Sequence, residues 1–226
     1  MTKIIKQNER GALIIISGPS GSGKGTIVEE LVKRNKNIWL SISCTSRPIR
    51  QNEIPNKSYY FITKEEFLNK LDKGEFLEHN EYNGNYYGTP KLNIEDKLQQ
   101  GTDVILEIDV NGAKQIKEKL PETICVFILP PSLEELKKRL VGRGSETKES
   151  MLARFKIAYQ ELNEITTYNY VVINESIEDA VKKVESIISS EKCRVNRIEE
   201  VYLANTEEKL HELLMEQEFV SEDIKL

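Results

Sequence analysis

A run of five apolar residues, Ala12 to Ile16 (ALIII), leads directly into GPSGSGKGT at 18–26, and TIVEELVKR follows. Ile27, Val28, Leu31 and Val32 fall at helical spacing, so the segment reads as strand, glycine-rich turn, helix. That order is the setting a phosphate-binding loop requires. Gly18, Gly21 and Gly23 let the backbone curl about Pro19, so that N–H groups of Ser20, Gly21, Ser22 and beyond point at one anion. The helix start adds its partial positive charge. Lys24 supplies a mobile full charge. The spacing Gly18-x-x-x-x-Gly23-Lys24 fits the Walker A pattern, except that Gly25 stands where a hydroxyl residue is usual and Thr26 comes one place later. A glycine-rich turn that merely joins strand to helix is the alternative.

The rest of the chain repeats the alternation. VILEIDV (104–110), ICVFIL (124–129) and YVVI (170–173) read as buried strands, with helices over 113–120, from Leu133, over 151–162 and over 177–189. Continuous apolar strands separated by helices predict an α/β fold, a parallel sheet flanked by helices on both faces. The segment 43–90 breaks the rhythm. It is polar, rich in tyrosine, and carries a helix over 64–74 that opens with the capping-box pair Thr63 and Glu66, so it reads as an inserted subdomain. Ser132 and Glu135 form a second such pair. Ile38, Leu40 and Ile42 alternate with polar residues as a half-buried strand. Residues 1–10 read as a loose arm, and Leu210, Leu213, Leu214 and Phe219 as an apolar stripe on a C-terminal helix.

Charge is distributed unevenly. The chain has a net charge of −5, yet 191–226 alone carries ten acidic and five basic residues, so the body is neutral and open to anionic ligands. No apolar run approaches the ~20 residues of a membrane span, and the polar start lacks a secretory signal's apolar segment. Cys44, Cys125 and Cys193 are odd in number and far apart, which predicts free thiols in a reducing cytoplasm. With only two histidines, a dedicated protein metal centre is not expected.

Four clusters carry chemistry. SISCTSRPIR places Arg47 and Arg50 about a proline turn, where two guanidinium forks converge on one dianion or remain solvated. EFLEHNEYNGNYYGTP offers Glu78 with Tyr87 and Thr89. A carboxylate accepts from guanine N1 and N2, and hydroxyls such as Ser43 and Thr89 serve O6, a combination adenine would leave underpaired. Glu107 and Asp109 lie two apart on a strand and face one side. One is expected to orient Mg²⁺ waters and the other to touch a second nucleotide, or both to form salt bridges. Arg139, Arg143 and Arg154 surround the Gly142–Gly144 hinge, suited to charge that develops on transferring phosphates or to a solvated basic helix.

GPSGSGKGT, SCTSRPIR, YYF, EFLEHNEYNGNYYGTP, LEIDVNGA and PPSLEELKKRLVGRG occur in the order of guanylate kinases, and the chain resembles that family over about 11–190. The resemblance implies the P-loop nucleoside monophosphate kinase fold, with a core of 1–42, 91–141 and 164–192, a GMP-binding subdomain at 43–90 and a lid at 142–163. Residues 193–226 form an acidic helical extension outside it. Also implied are phosphoryl transfer from ATP to GMP with Mg²⁺, partners that include neither nucleic acid nor membrane, and an oligomeric state left open. By position, Ser43, Glu78, Thr89 and Asp109 read guanine, with Glu107 beside them where many members carry Asp. Arg47, Arg50, Tyr59 and Tyr87 hold the GMP phosphate. Lys24, Arg139, Arg143 and Arg154 manage the transferred group, and Asn174 lies near adenine. With Gly25 in the loop, the metal is expected to be held mainly by phosphates and water. An adenylate kinase and a catalytically silent peptide-binding module are the rivals.

Overall fold

The computed structural model describes residues 5–7, 10–51, 53–82, 84–141 and 148–201, with side chains described except at 5–7, 140, 141, 148–154 and 198–201. In chain order the strands and helices are β1 (Ile5–Gln7), β2 (Leu13–Ser17), α1 (Lys24–Arg34), β3 (Ile38–Leu40), β4 (Cys44–Thr45), β5 (Tyr60–Phe61), α2 (Lys64–Asp72), β6 (Phe76–Tyr82), β7 (Asn85–Pro90) and α3 (Ile94–Gln99). They continue as β8 (Asp103–Glu107), α4 (Val110–Lys119), β9 (Ile124–Leu129), α5 (Leu133–Val141), α6 (Lys148–Asn163), β10 (Tyr170–Ile173), α7 (Ile177–Glu191) and β11 (Ile198–Val201).

Two units divide the chain. Residues 10–191 form one; the terminal segments 1–9 and 192–226 form the other. In the larger unit a five-stranded parallel sheet runs in the order β10-β9-β2-β8-β3. β2 is central, flanked by β8 and β9, and all five of its side chains are buried. Burial on both faces is why ALIII is apolar without alternation. Ile14, Ile16, Ile27, Leu31, Val126, Val172 and Val184 pack on the α1 and α7 side, and Ile15, Leu106, Ile116 and Cys125 pack opposite, against α3 and α4. Each such aliphatic side chain contributes about 1.5–3 kcal/mol. This core fixes the turn that follows β2.

A second, four-stranded sheet, β5-β4-β7-β6, occupies 44–90. Phe67 of α2 stacks on Phe76 at 4.5 Å and on Tyr86 at 5.4 Å, giving this sheet its own small core. The capping box is complete, Thr63 Oγ1 accepting from the Glu66 amide and Glu66 accepting from the Thr63 amide. Two expectations change. β3 ends at Leu40, because the chain leaves the first sheet there and enters the second at Cys44, so Ile42 does not continue the strand. The loose N-terminal arm instead contains β1, paired antiparallel with β11. The apolar stripe of 210–219 lies outside the described residues.

Candidate active site

The turn between β2 and α1 is built by Gly18, Gly21 and Gly23, which all take positive φ, 136°, 87° and 93°. A side chain at Gly23 is excluded twice, by that backbone and because its Cβ would stand 2.3 Å from Asn174 Nδ2. α1 starts at Lys24 with no side-chain cap and no acidic residue in its first turn, so its amides and dipole face outward uncompensated. Lys24 Nζ donates to the carbonyls of Gly18 (2.6 Å) and Pro19 (3.1 Å), folded back over the loop. Ser20 and Thr26 are exposed on the loop surface. Asn174, expected near adenine, is 2% exposed, and its amide donates to the Ser22 carbonyl at 2.8 Å. It braces the loop. Arg139 reaches the same turn, 3.9 Å from where a Gly23 Cβ would stand, while holding Glu135 at 2.9 Å.

The second sheet presents a polar chain of three groups. Thr89 Oγ1 donates to Glu78 Oε1 at 2.6 Å, and Ser43 Oγ lies 3.5 Å from Thr89 Oγ1. Glu78 is buried, and that desolvation, with Asp109 nearby, pushes its carboxyl up to about 7 against the relief given by Thr89. Its Oε2 lies against the first turn of α4, where a Cβ on Gly112 would come within 2.6 Å. Gly112→Ala is therefore expected to displace Glu78 and raise KM for a guanine substrate roughly tenfold, about the value of one good hydrogen bond to a charged group, with little change in kcat. Steady-state kinetics checks this; an unchanged KM would contradict it.

Beyond Glu78 the cleft holds the arginines and tyrosines. Arg47 is 8% exposed, gripped by Glu53 at 2.5 and 2.7 Å, and lies over the rings of Tyr59 (5.1 Å) and Phe61 (5.7 Å). Tyr87 meets Tyr59 edge-on at 6.1 Å. Arg50 is exposed on the same turn, and its charge helps hold Glu53 below the usual carboxylate range, behind the larger effect of Arg47. Glu53 was not among the expected residues, because in the sequence it is one more acid in a polar loop.

Glu107 and Asp109 are both exposed, as alternation about buried Leu106 and Ile108 requires. They then part. Glu107 lies beside Gly25, 3.6 Å from where a Cβ would stand. It is exposed, yet desolvation by the surrounding protein raises its pKa despite Lys24; its charge in turn raises that of Tyr59, behind the burial of the ring. Asp109 caps α4, accepting from the Gly112 amide at 2.8 Å, and takes a second bond from Asn80 Nδ2 at 2.8 Å. Its oxygens are thus partly engaged, and Asn80 joins this group unannounced by the sequence. Arg143 lies outside the described residues, and Arg154 is described only by its place in α6.

The family profile for guanylate kinase matches residues 10–191. The chain is 55% identical over 206 residues to the guanylate kinase of Clostridium tetani, spanning 91% of this chain and 99% of that one. A guanylate kinase of Clostridium perfringens is 51% identical over 95% of this chain and 99% of its own. The chain belongs to the guanylate kinase family. The crystal structure of guanylate kinase from Anaplasma phagocytophilum superposes with a TM-score of 0.73 at 33% identity, covering 97% of this chain and all of that one. The parallel sheet flanked by helices is thus the P-loop nucleoside monophosphate kinase fold, and the family's reaction is ATP-dependent phosphorylation of GMP.

Proposed function

We propose that this cleft transfers the γ-phosphoryl group of ATP to GMP, with ATP on the P-loop and GMP against the second sheet. The observation that carries the assignment is the Ser43–Thr89–Glu78 chain, a carboxylate with two hydroxyls on one wall, facing guanine's two donors and one acceptor. Asp109 and Asn80 extend that wall. Arg47, held by Glu53, receives the GMP phosphate with Arg50, Tyr59 and Tyr87. Glu107, which influences both Lys24 and Tyr59, marks where the two phosphate chains meet.

The acceptor needs no protein base, because its phosphate has a second pKa near ~6 and is already an anion at neutral pH. The residues' work is alignment, exclusion of water and charge neutralisation. Lys24, leaving the loop carbonyls, and Arg139 neutralise the transferring group. Among the described residues no three His, Cys, Asp or Glu side chains cluster as a protein metal cage. Glu107 nevertheless suits Mg²⁺, which keeps several waters and takes one or two carboxylates alongside substrate phosphates. When bound, the ion would neutralise charge on the bridging phosphate oxygens. Free thiols at Cys44, Cys125 and Cys193 support a reducing, cytoplasmic setting.

A panel of nucleoside monophosphates with MgATP tests the reading. GMP is expected to turn over well ahead of AMP. AMP in the lead would make the chain an adenylate kinase in practice, and a folded protein with no turnover of either would favour a binding module.

A further inference from the structure

Among the described residues β6 is the last strand of the second sheet. One of its edges pairs with β7, Glu78 opposite Thr89 and His79 opposite Gly88. Along such a pair, alternate residues turn their backbone groups away from the partner strand. Those groups are a row of donors and acceptors that needs water or a further partner. At Leu77 and His79 the partner is α4. Gln115 Oε1 accepts from the His79 amide at 3.2 Å, and Gln115 Nε2 donates to the His79 carbonyl at 2.8 Å. A primary amide offers donor and acceptor side by side, so this side chain takes the place of a neighbouring strand residue. One helical turn later, Lys119 Nζ donates to the Leu77 carbonyl at 2.7 Å.

These contacts belong to one face of α4. Asp109, Gly112, Gln115 and Lys119 follow one another at spacings of three, three and four residues. They meet Asn80, Glu78, His79 and Leu77 respectively. Asp109 and Gly112 meet side chains, whereas Gln115 and Lys119 hold the backbone on either side of Glu78. Because α4 follows β8, and β8 pairs with the central β2, that face references Glu78 to the sheet carrying the phosphate loop. We propose that Gln115 is a positioning residue for GMP: by completing the edge of β6 at His79, with Lys119 at Leu77, it fixes where the Glu78 carboxylate meets the guanine edge. The proposal rests on the reading of Glu78 given above. Hydrogen bonds weaken steeply once donor and acceptor are misaligned, so a strand edge left to water costs the base its fit. In this role Gln115 acts through β6 and touches neither nucleotide.

Gln115→Leu keeps the bulk and removes both bonds to His79. It is a cleaner test than a change at Lys119, whose charge also favours the ionised form of Glu78. We expect KM for GMP to rise about fivefold to tenfold, with kcat and KM for ATP within about twofold of wild type. The melting temperature should fall by only about 2–4 °C, because His79 is exposed and water takes over its backbone groups. In a Glu78→Gln background the same substitution should add less than about twofold to KM for GMP, since the group it positions is already gone. A wild-type KM for GMP in Gln115→Leu overturns the proposal. So does a rise in KM that persists undiminished in the Glu78→Gln background, or a loss of kcat in step with the melting temperature. If Gln115→Leu does not fold, Gln115→Ala decides: a raised KM for GMP at unchanged kcat supports the role, and a wild-type KM refutes it. Glu78→Gln alone separates the two readings. A wild-type KM for GMP there overturns the role of Glu78 and this proposal with it, whereas a raised KM there beside a wild-type KM in Gln115→Leu overturns this proposal only.

Discussion

Replacing Lys24 with alanine is expected to lower kcat for GMP phosphorylation by roughly 10³-fold while the protein stays folded. The amine is the only full positive charge contributed by the loop 18–26, and in this structure it rests on the carbonyls of Gly18 and Pro19. Those two bonds are modest and partly exposed to water, so their loss costs about 1 kcal/mol and moves the melting temperature by only about 2–4 °C. Charge developing on a transferring phosphoryl group is a different matter. Removing one preorganised donor from a transition state costs roughly 10²–10³ in rate, and one cation in comparable phosphoryl transfers is worth about 10³–10⁵. GMP affinity should be preserved, because Glu78, Thr89 and Arg47 belong to the other sheet and its loops. Single-turnover kinetics with calorimetric GMP binding tests both halves. A kcat within tenfold of wild type would remove Lys24 from the chemistry.

That prediction draws on the part of the molecule most legible in the sequence. Ala12–Ile16, Val104–Leu106 and Ile124–Ile128 are buried on both faces, so their apolar character follows from local composition, and glycines at fixed offsets betray the loop. What was not legible depends on partners distant in the chain. Ile42 keeps the alternation of Ile38 and Leu40, and only the change of sheet after Leu40 ends the strand. β1 is only three residues long, and its pairing partner lies at 198–201. Glu53 looks like any loop acid until Arg47 is found buried against it. Asn174 behaves alike: nothing local distinguishes a strand-end asparagine from its solvated counterparts. The wall of Glu78 and Thr89 falls between these cases. Glu78 and Thr89 were nameable because β6 and β7 form a hairpin that pairs them directly, whereas Asn80 and Gly112 required the approach of α4.

Glu78→Gln should move stability and function in opposite directions. In the folded protein the Glu78 carboxyl is raised to about 7 from an ordinary 4.5, mainly by burial. The folded state therefore holds a proton that the unfolded chain has released, so the favourable contribution is complete below 4.5 and is lost as pH rises through 7. Above pH 7 the ionised carboxylate costs the ligand-free protein about 3 kcal/mol. Glutamine removes that cost while still accepting from Thr89, so the variant should melt about 6–12 °C higher near pH 8 and no higher near pH 5. Its amide, however, presents a donor where guanine N1 or N2 also presents one. KM for GMP should rise by roughly 10²-fold, the cost of breaking a hydrogen bond to a charged group and opposing two donors. Discrimination against AMP should shrink with it. The same ionisation makes wild-type KM for GMP rise as pH falls below 7, by up to about tenfold per unit, and Glu78→Gln should flatten that slope. Thermal melts at the two pH values, with GMP and AMP kinetics from pH ~5.5 to ~8.5, decide the matter. A variant that melts lower at high pH, or one that keeps the wild-type pH dependence of KM, would show that the buried carboxylate is not the group that reads guanine.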